Sequence, residues 1–248
     1  MIIIKSSREI ALMREAGKIV AKVFDELKQF IVPGVTTKEI SSKAEEIIRH
    51  AGGIPASKGY CGFPGAICTS VNDVIVHGIP NNVKLKEGDI VSCDVVVTYQ
   101  GYNSDACRTF KVGKVSKEAE DLIRVTEECL ECALSIVKPG IRLTDISAAI
   151  QKHAEENGYS LVREFTGHGI GKSMHEDPPI PNYGEPGHGP ILREGMTLAI
   201  EPMVLQGNKE CYILNDGWTV KTRDGKLASH HENTIVVTKE GYEILTKL

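Results

Sequence analysis

The feature that most constrains this chain is that it repeats itself. "PGVTTKEIS" at Pro33 to Ser41 resembles "PGIRLTDIS" at Pro139 to Ser147, and "KEGDIVSCD" at Lys86 to Asp94 resembles "REGMTLAIE" at Arg193 to Glu201. The first pair is offset by 106 residues and the second by 107, so a single register relates both. The flanking patterns agree. Helix-like segments run from about Ser7 to Phe30 and from about Ser116 to Lys138, and each is followed by a Pro-Gly breaker. A second helix follows each breaker, with Thr36 and Glu39 set as a capping box for one and Thr144 as the N-cap of the other. Gly52 and Gly158 are natural stops. Strand-like runs come next, at Ile90 to Tyr99, Thr197 to Leu205 and Thr234 to Thr238.

The expected fold is therefore α+β: two pseudo-symmetric αβ halves, residues 1–115 and 116–248, within one catalytic domain spanning 1–248. The junction "KVGKVSKEAE" is short, so the halves should share one core and one sheet. Sites commonly form where such halves meet.

The repeat also aligns two acids. Asp94 and Glu201 each lie six residues after their glycine, and each interrupts an apolar strand pattern. In "SCDVVVTYQGYNSDACRTF" a two-residue loop at Gln100-Gly101 would oppose residue 94 to 107 and residue 96 to 105. Asp94 and Asp105 then become diagonal neighbours on one face. "ASHHENTIVV" adds Glu232 in the second half. A lone buried acid is as readily satisfied by backbone or arginine partners. Four converging in an apolar sheet repel one another, and divalent cations resolve that conflict. A nitrogen donor is available in "EFTGHGIGKSMHEDPPIPNYG", where glycines beside His168 let the backbone turn and aim the imidazole inward, with His175 nearby. Its G-H-G-I-G spacing is not the dinucleotide fingerprint. Imidazole together with carboxylate moves the preference from magnesium or calcium towards manganese, iron, cobalt or zinc.

Bulk properties exclude more than they assign. A formal charge of −4 gives no basic footprint for nucleic acid, and no apolar run approaches the length of a membrane span or a signal peptide. The seven cysteines read as reduced thiols of a cytoplasmic protein, and the Cys129/Cys132 pair as helix packing.

In that order, Asp94, Asp105, His168, Glu201 and Glu232 resemble the five metal ligands of the pita-bread metallopeptidases. "NDVIVHGIP", "DVVVTYQGYNSDACRTF", "TGHGIGKSMHEDPPIPNYG" and "GMTLAIEPM" resemble the signatures of their type I (bacterial-type) methionine aminopeptidases. The resemblance covers nearly the whole chain and implies the pita-bread fold, with helices on the outer face of a central, mostly antiparallel sheet. It implies two divalent ions (cobalt, manganese, iron or zinc), Asp94 on one, His168 and Glu201 on the other, and Asp105 and Glu232 on both. The implied reaction is removal of the initiator methionine from nascent chains with a small second residue, by hydroxide activated at the metal pair. Glu201 is then also the proton shuttle, and His77 and His175 contact the scissile amide. Tyr60, Phe63, Cys68, His77, Met174, His175 and Trp218 form the methionine pocket. The implied setting is the cytoplasm, with transient ribosome contact, no membrane or nucleic-acid partner, and a monomer.

The chain departs from the pattern at Phe63, where many relatives have tyrosine, and at Met174, where many have phenylalanine. Around Glu232 the family usually reads Ala-Gln-aromatic-Glu-His, against Ser229-His230-His231-Glu232-Asn233 here. Strand parity puts His230 on the Glu232 face and turns His231 away. The same ligand set also serves proline-specific (X-Pro) peptidases, and a non-catalytic binding relative is the third alternative.

Overall fold

The computed structural model describes residues 1–247. Helix α1 (Ser7–Phe30) begins where Ser6 and Glu9 cap each other's backbone, and α2 (Thr37–His50) begins with the same device at Thr36 and Glu39. Helix α3 (Lys117–Ser135) follows its N-cap Ser116 and ends three residues short of the expected Lys138, as the chain opens towards Pro139. Helix α4 (Leu143–Glu156) starts two residues earlier than expected. Its N-cap is Arg142, whose N–H the Asp145 carboxylate accepts at 2.8 Å. Thr144 lies inside the first turn instead, and its hydroxyl exchanges hydrogen bonds with the backbone of His188.

Each helix pair covers its own half. α1 and α2 bury their apolar faces against Val91, Cys93, Val95, Val97 and Ala106, while α3 and α4 do so against Leu198, Ile200, Val204, Ile235 and Val237. Two smaller clusters bridge the halves, Ile75 and Val76 packing with Met203 and Val220, and Met13 and Tyr102 with Ile170 and Ala199. Full burial of each such side chain contributes roughly 1.5–3 kcal/mol.

In the first half, strands Ile90–Tyr99 and Tyr102–Lys111 form a hairpin. Both loop residues, Gln100 and Gly101, have positive φ (46° and 83°), which matches a two-residue turn to the strand twist. The register pairs Asp94 with Cys107 and Val96 with Asp105, as the loop length predicts. Because side chains alternate, Val91, Cys93, Val95 and Val97 face the helices and Asp94 faces the opposite, concave side.

The run read as one strand, Thr197 to Leu205, is two: Thr197–Ile200 and Met203–Leu205. Pro202 has no N–H to give the ladder, and the break falls at Glu201. The first piece pairs with Asn233–Val237, Ile200 opposite Asn233, and with Gly167–Gly169; the second pairs with Ala228–His230. All these pairings are antiparallel.

The halves join along Tyr102–Lys111. Glu232 N–H donates to Cys107 O at 3.0 Å. To one side, the Thr234 hydroxyl accepts from Asp105 N–H (2.9 Å) and donates to Asp105 O (2.8 Å). To the other, the Thr109 hydroxyl accepts from His230 N–H (3.2 Å) and donates to His230 O (3.0 Å). The seam is therefore locally two-fold: Asp105 stands to Thr234 as His230 stands to Thr109. Behind it, the Arg108 guanidinium donates to Cys107 O, Glu232 O and Asn233 Oδ1 and lies over the Phe24 ring. Among the described residues, no helix is long and apolar enough to cross a membrane.

Candidate metal centre

The concave side of this seam collects the acids. Asp94 and Asp105 come from the hairpin, Glu201 from the break before Pro202, and Glu232 from the step between Ala228–His230 and Asn233–Val237. His168 sits within strand Gly167–Gly169 rather than in a turn. Its flanking glycines serve close approach rather than a turn. A Cβ on Gly167 would lie 2.5 Å from Ala199 O, and one on Gly169 would lie 2.1 Å from Asp177 O. Only glycine lets both neighbouring strands press against the histidine's backbone.

His168 Nδ1 lies 2.8 Å from Gly169 O, a hydrogen bond that requires the proton on Nδ1. Nε2 is then a bare lone pair, 3.6 Å from Glu201 Oε1 and 3.9 Å from Asp105 Oδ2. That is how ligating histidines are commonly set by their second nitrogen. Burial keeps the ring neutral, lowering its pKa to about 4. Asp105, His168 and Glu232 are 5%, 8% and 1% exposed. Burial first, and repulsion from neighbouring acids second, hold Asp105, Glu201 and Glu232 well above the usual carboxylate range; burial raises Asp94 as well.

These groups fit divalent cations. Asp94 Oδ1, Asp105 Oδ1, Glu232 Oε1 and His230 Nε2 are buried without a hydrogen-bond partner, although buried polar atoms are normally paired. Donor atoms of Asp105, His168 and Glu232 lie within 4.8 Å of one another, and so do those of Glu201, His230 and Glu232. Hard carboxylate oxygens with imidazole nitrogens form a donor set for a transition-metal ion. A positive ion would relieve the repulsion that raises the acids.

A cavity of about 290 Å³ opens beside the acids, and every residue expected at the site lines it. Phe63 packs edge-on against Trp218, with ring centroids 5.2 Å apart. Asp216 holds the Trp218 loop by accepting from the N–H groups of Trp218 and Thr219. Cys68 pairs with Asp94 across the ladder, and burial followed by the nearby acids pushes its thiol well up, so it lines the wall as a neutral group. His77 takes a left-handed backbone (φ 59°), an uncommon conformation for a residue other than glycine, and its ring stands edge-on to Phe165 and Trp218. Burial holds His77 near pKa 4, again neutral. Tyr60 Oη lies 2.9 Å from His175 Nδ1. Sequence reasoning missed Phe165, although it stands three residues before His168 in the same motif.

A buried acid and histidine cluster suited to divalent cations, on a duplicated αβ frame, defines a class, the metal-dependent hydrolases built on two-fold repeats. The chain belongs to metallopeptidase family M24, whose model matches residues 11–239. It is 52% identical over 246 residues to the methionine aminopeptidase of Clostridium perfringens, covering 99% of each chain. It is 50% identical to methionine aminopeptidase 1 of Bacillus subtilis, covering 100% of each. The crystal structure of the methionine aminopeptidase from Thermotoga maritima superposes with a TM-score of 0.98 at 48% identity, covering 100% of both chains. The pita-bread expectation is met by that likeness.

Proposed function

We propose that this chain is a methionine aminopeptidase that removes an N-terminal methionine when the second residue is small. The observation that carries the reading is the juxtaposition of the buried acid and histidine cluster with a cavity walled by Phe63, Cys68, Met174 and Trp218. A thioether is apolar and polarisable, and such aromatic and sulfur-bearing walls suit it.

In this reading Asp94, Asp105, His168, Glu201 and Glu232 would hold the divalent ions, with Asp105 and Glu232 the acids shared between them. Cobalt, manganese, iron and zinc all suit these donors. Bound there, the ions would supply Lewis-acid polarisation of the scissile carbonyl and lower the pKa of a water. The protein supplies the rest. Glu201, on a non-strand residue beside the cavity, takes the proton of the attacking water and passes it to the departing amine. With the Tyr60 hydroxyl donating to Nδ1, His175 carries its proton on Nε2 and acts as a neutral N–H donor to the developing oxyanion. His77, also neutral, contacts the scissile amide from the Phe165–Trp218 wall. Nascent chains in the cytoplasm are the substrate, reached through transient ribosome contact, and the working unit is a monomer.

The test is cleavage of a Met-Ala-Ser peptide against an Ala-Pro dipeptide by metal-loaded protein. The first should be cut and the second should not; the reverse pattern points to the X-Pro peptidases. Asp105→Asn and Glu232→Gln should each abolish turnover, and near-normal turnover in either would sink the shared-ligand assignment. Tight divalent metal in active preparations is expected, and its absence would favour a binding relative.

A further inference from the structure

One buried group beside the acids has no task in the mechanism above. His230 is 2% exposed, and its Nε2 has no hydrogen-bond partner. Nε2 stands 3.5 Å from Glu201 Oε2 and 3.8 Å from Glu232 Oε2. On the other side of Glu201, His168 Nε2 stands 3.6 Å from Oε1. The two imidazoles therefore flank one carboxylate at nearly equal separation. Ligand atoms each about 2.0–2.2 Å from a common ion lie roughly 3–3.5 Å apart, so both spacings suit a shared cation after a shift of a few tenths of an ångström.

The fold supplies a second, independent reason. Asp94 opposes Cys107 in the first hairpin, and Ile200 opposes Asn233 in the second, so the next step brings Glu201 opposite Glu232. The seam bond from Glu232 N–H to Cys107 O lies on the local two-fold. That operation relates Asp94 to Glu201, Cys107 to Glu232 and Asp105 to His230. The counterpart of Asp105 is thus the histidine, not the fourth acid. The clamps agree, since the Thr109 hydroxyl fixes both backbone groups of His230 as the Thr234 hydroxyl fixes both of Asp105. A side chain so held is pre-set in direction rather than free to retreat.

We propose that His230 Nε2 is a ligand of the metal pair, entering on the Glu201–Glu232 side as the two-fold counterpart of Asp105. The site then carries two imidazole ligands, one from each flank of Glu201. An added nitrogen donor favours zinc and cobalt over manganese relative to a site with one. The inference rests on the reading that the acid cluster holds metal.

The experiment uses the full chain loaded with Co²⁺ alone and counts solvent-exchangeable, paramagnetically shifted imidazole N–H resonances by proton NMR. Wild type should show two. His230→Gln, which keeps a polar side chain of similar reach, should show one, and His168→Gln should lose the other. Isothermal titration should also show that His230→Gln loses more affinity for Zn²⁺ than for Mn²⁺. A single resonance in wild type overturns the proposal while leaving the peptidase reading intact. That count is read on wild type, so it holds even if a variant fails to fold. Wild type that binds no Co²⁺ overturns both.

Discussion

Between Tyr60 and His175 a single hydroxyl meets the ring nitrogen Nδ1. Neutral imidazole has one N–H, and a hydroxyl that donates to Nδ1, 2.9 Å away, leaves that N–H on Nε2. Removing that hydroxyl in Tyr60→Phe frees both tautomers without removing the ring. We expect kcat on a Met-Ala-Ser peptide to fall by about 10-fold to 100-fold. In nitrogen-15 NMR spectra, the His175 nitrogen shifts should move towards a tautomer average. Unchanged shifts would mean that Tyr60 only fills space. The same scale shows what a sequence hides. Strand parity is enough to put His230 on the Glu232 face, but an unpaired Nε2 3.5 Å from Glu201 is a three-dimensional fact. Nothing in "ASHHENT" distinguishes a ligand from a packed ring.

At the scale of elements, the segment before α1 ties down the strand that begins just after His175. Lys5 Nζ meets Glu176 Oε2 at 2.5 Å, with side chains 3% and 7% exposed, and Ser173 N–H also donates to Glu176. Lys5→Met leaves Glu176 buried and unpaired, at an expected cost of about 3–5 kcal/mol in urea unfolding. Adding Glu176→Gln should recover part of the loss; no recovery would show that Lys5 acts through its packing. Glu9 joins α1 to Tyr102. Its carboxylate accepts from Ser6 N–H at 2.8 Å and from Tyr102 Oη–H at 2.7 Å, which lowers its pKa from 4.5 to about 2. A folded pKa below the unfolded one means that the stabilisation is present above pH 4.5 and is lost as pH falls towards 2. Glu9→Gln should therefore flatten unfolding stability over that window and leave its shape at neutral pH unchanged. Helix starts were legible wherever the capping pattern was local, as at Thr36 and Glu39. Thr144 misled because the competing acid, Asp145, belongs to a cap two residues earlier, and because His188, distant in sequence, engages the hydroxyl.

For the whole molecule, metal binding should be a term in stability. Only the folded chain brings the four acids together, so an ion held there stabilises by mass action. Free Mn²⁺ at about a hundred times its Kd should add about 2.7 kcal/mol. Thermal unfolding with Mn²⁺ and with a chelator checks this, and coincident midpoints would contradict it. The plan at this scale was readable because a duplicated sequence carries its own symmetry: the shared offset of 106–107 residues foretold two helix-covered halves. It could not foretell the return strands. There the counterparts Asp105 and His230 are 125 residues apart, because the second hairpin carries a longer connection and the register must be read from hydrogen bonds.

The seam has a consequence for how this molecule would respond to strain. Its backbone bond from Glu232 to Cys107 sits on the local axis, with the buried acids gathered within a residue or two of it on the two central strands. A slip of one half against the other would change little within either helix-covered layer, but it would separate Asp105 from Glu232 at once. The acid cluster is thereby the molecule's own alignment gauge: it stays assembled only while both halves keep step, so a mutation along their contact should be felt in the spacing of these acids before it is felt in the cores.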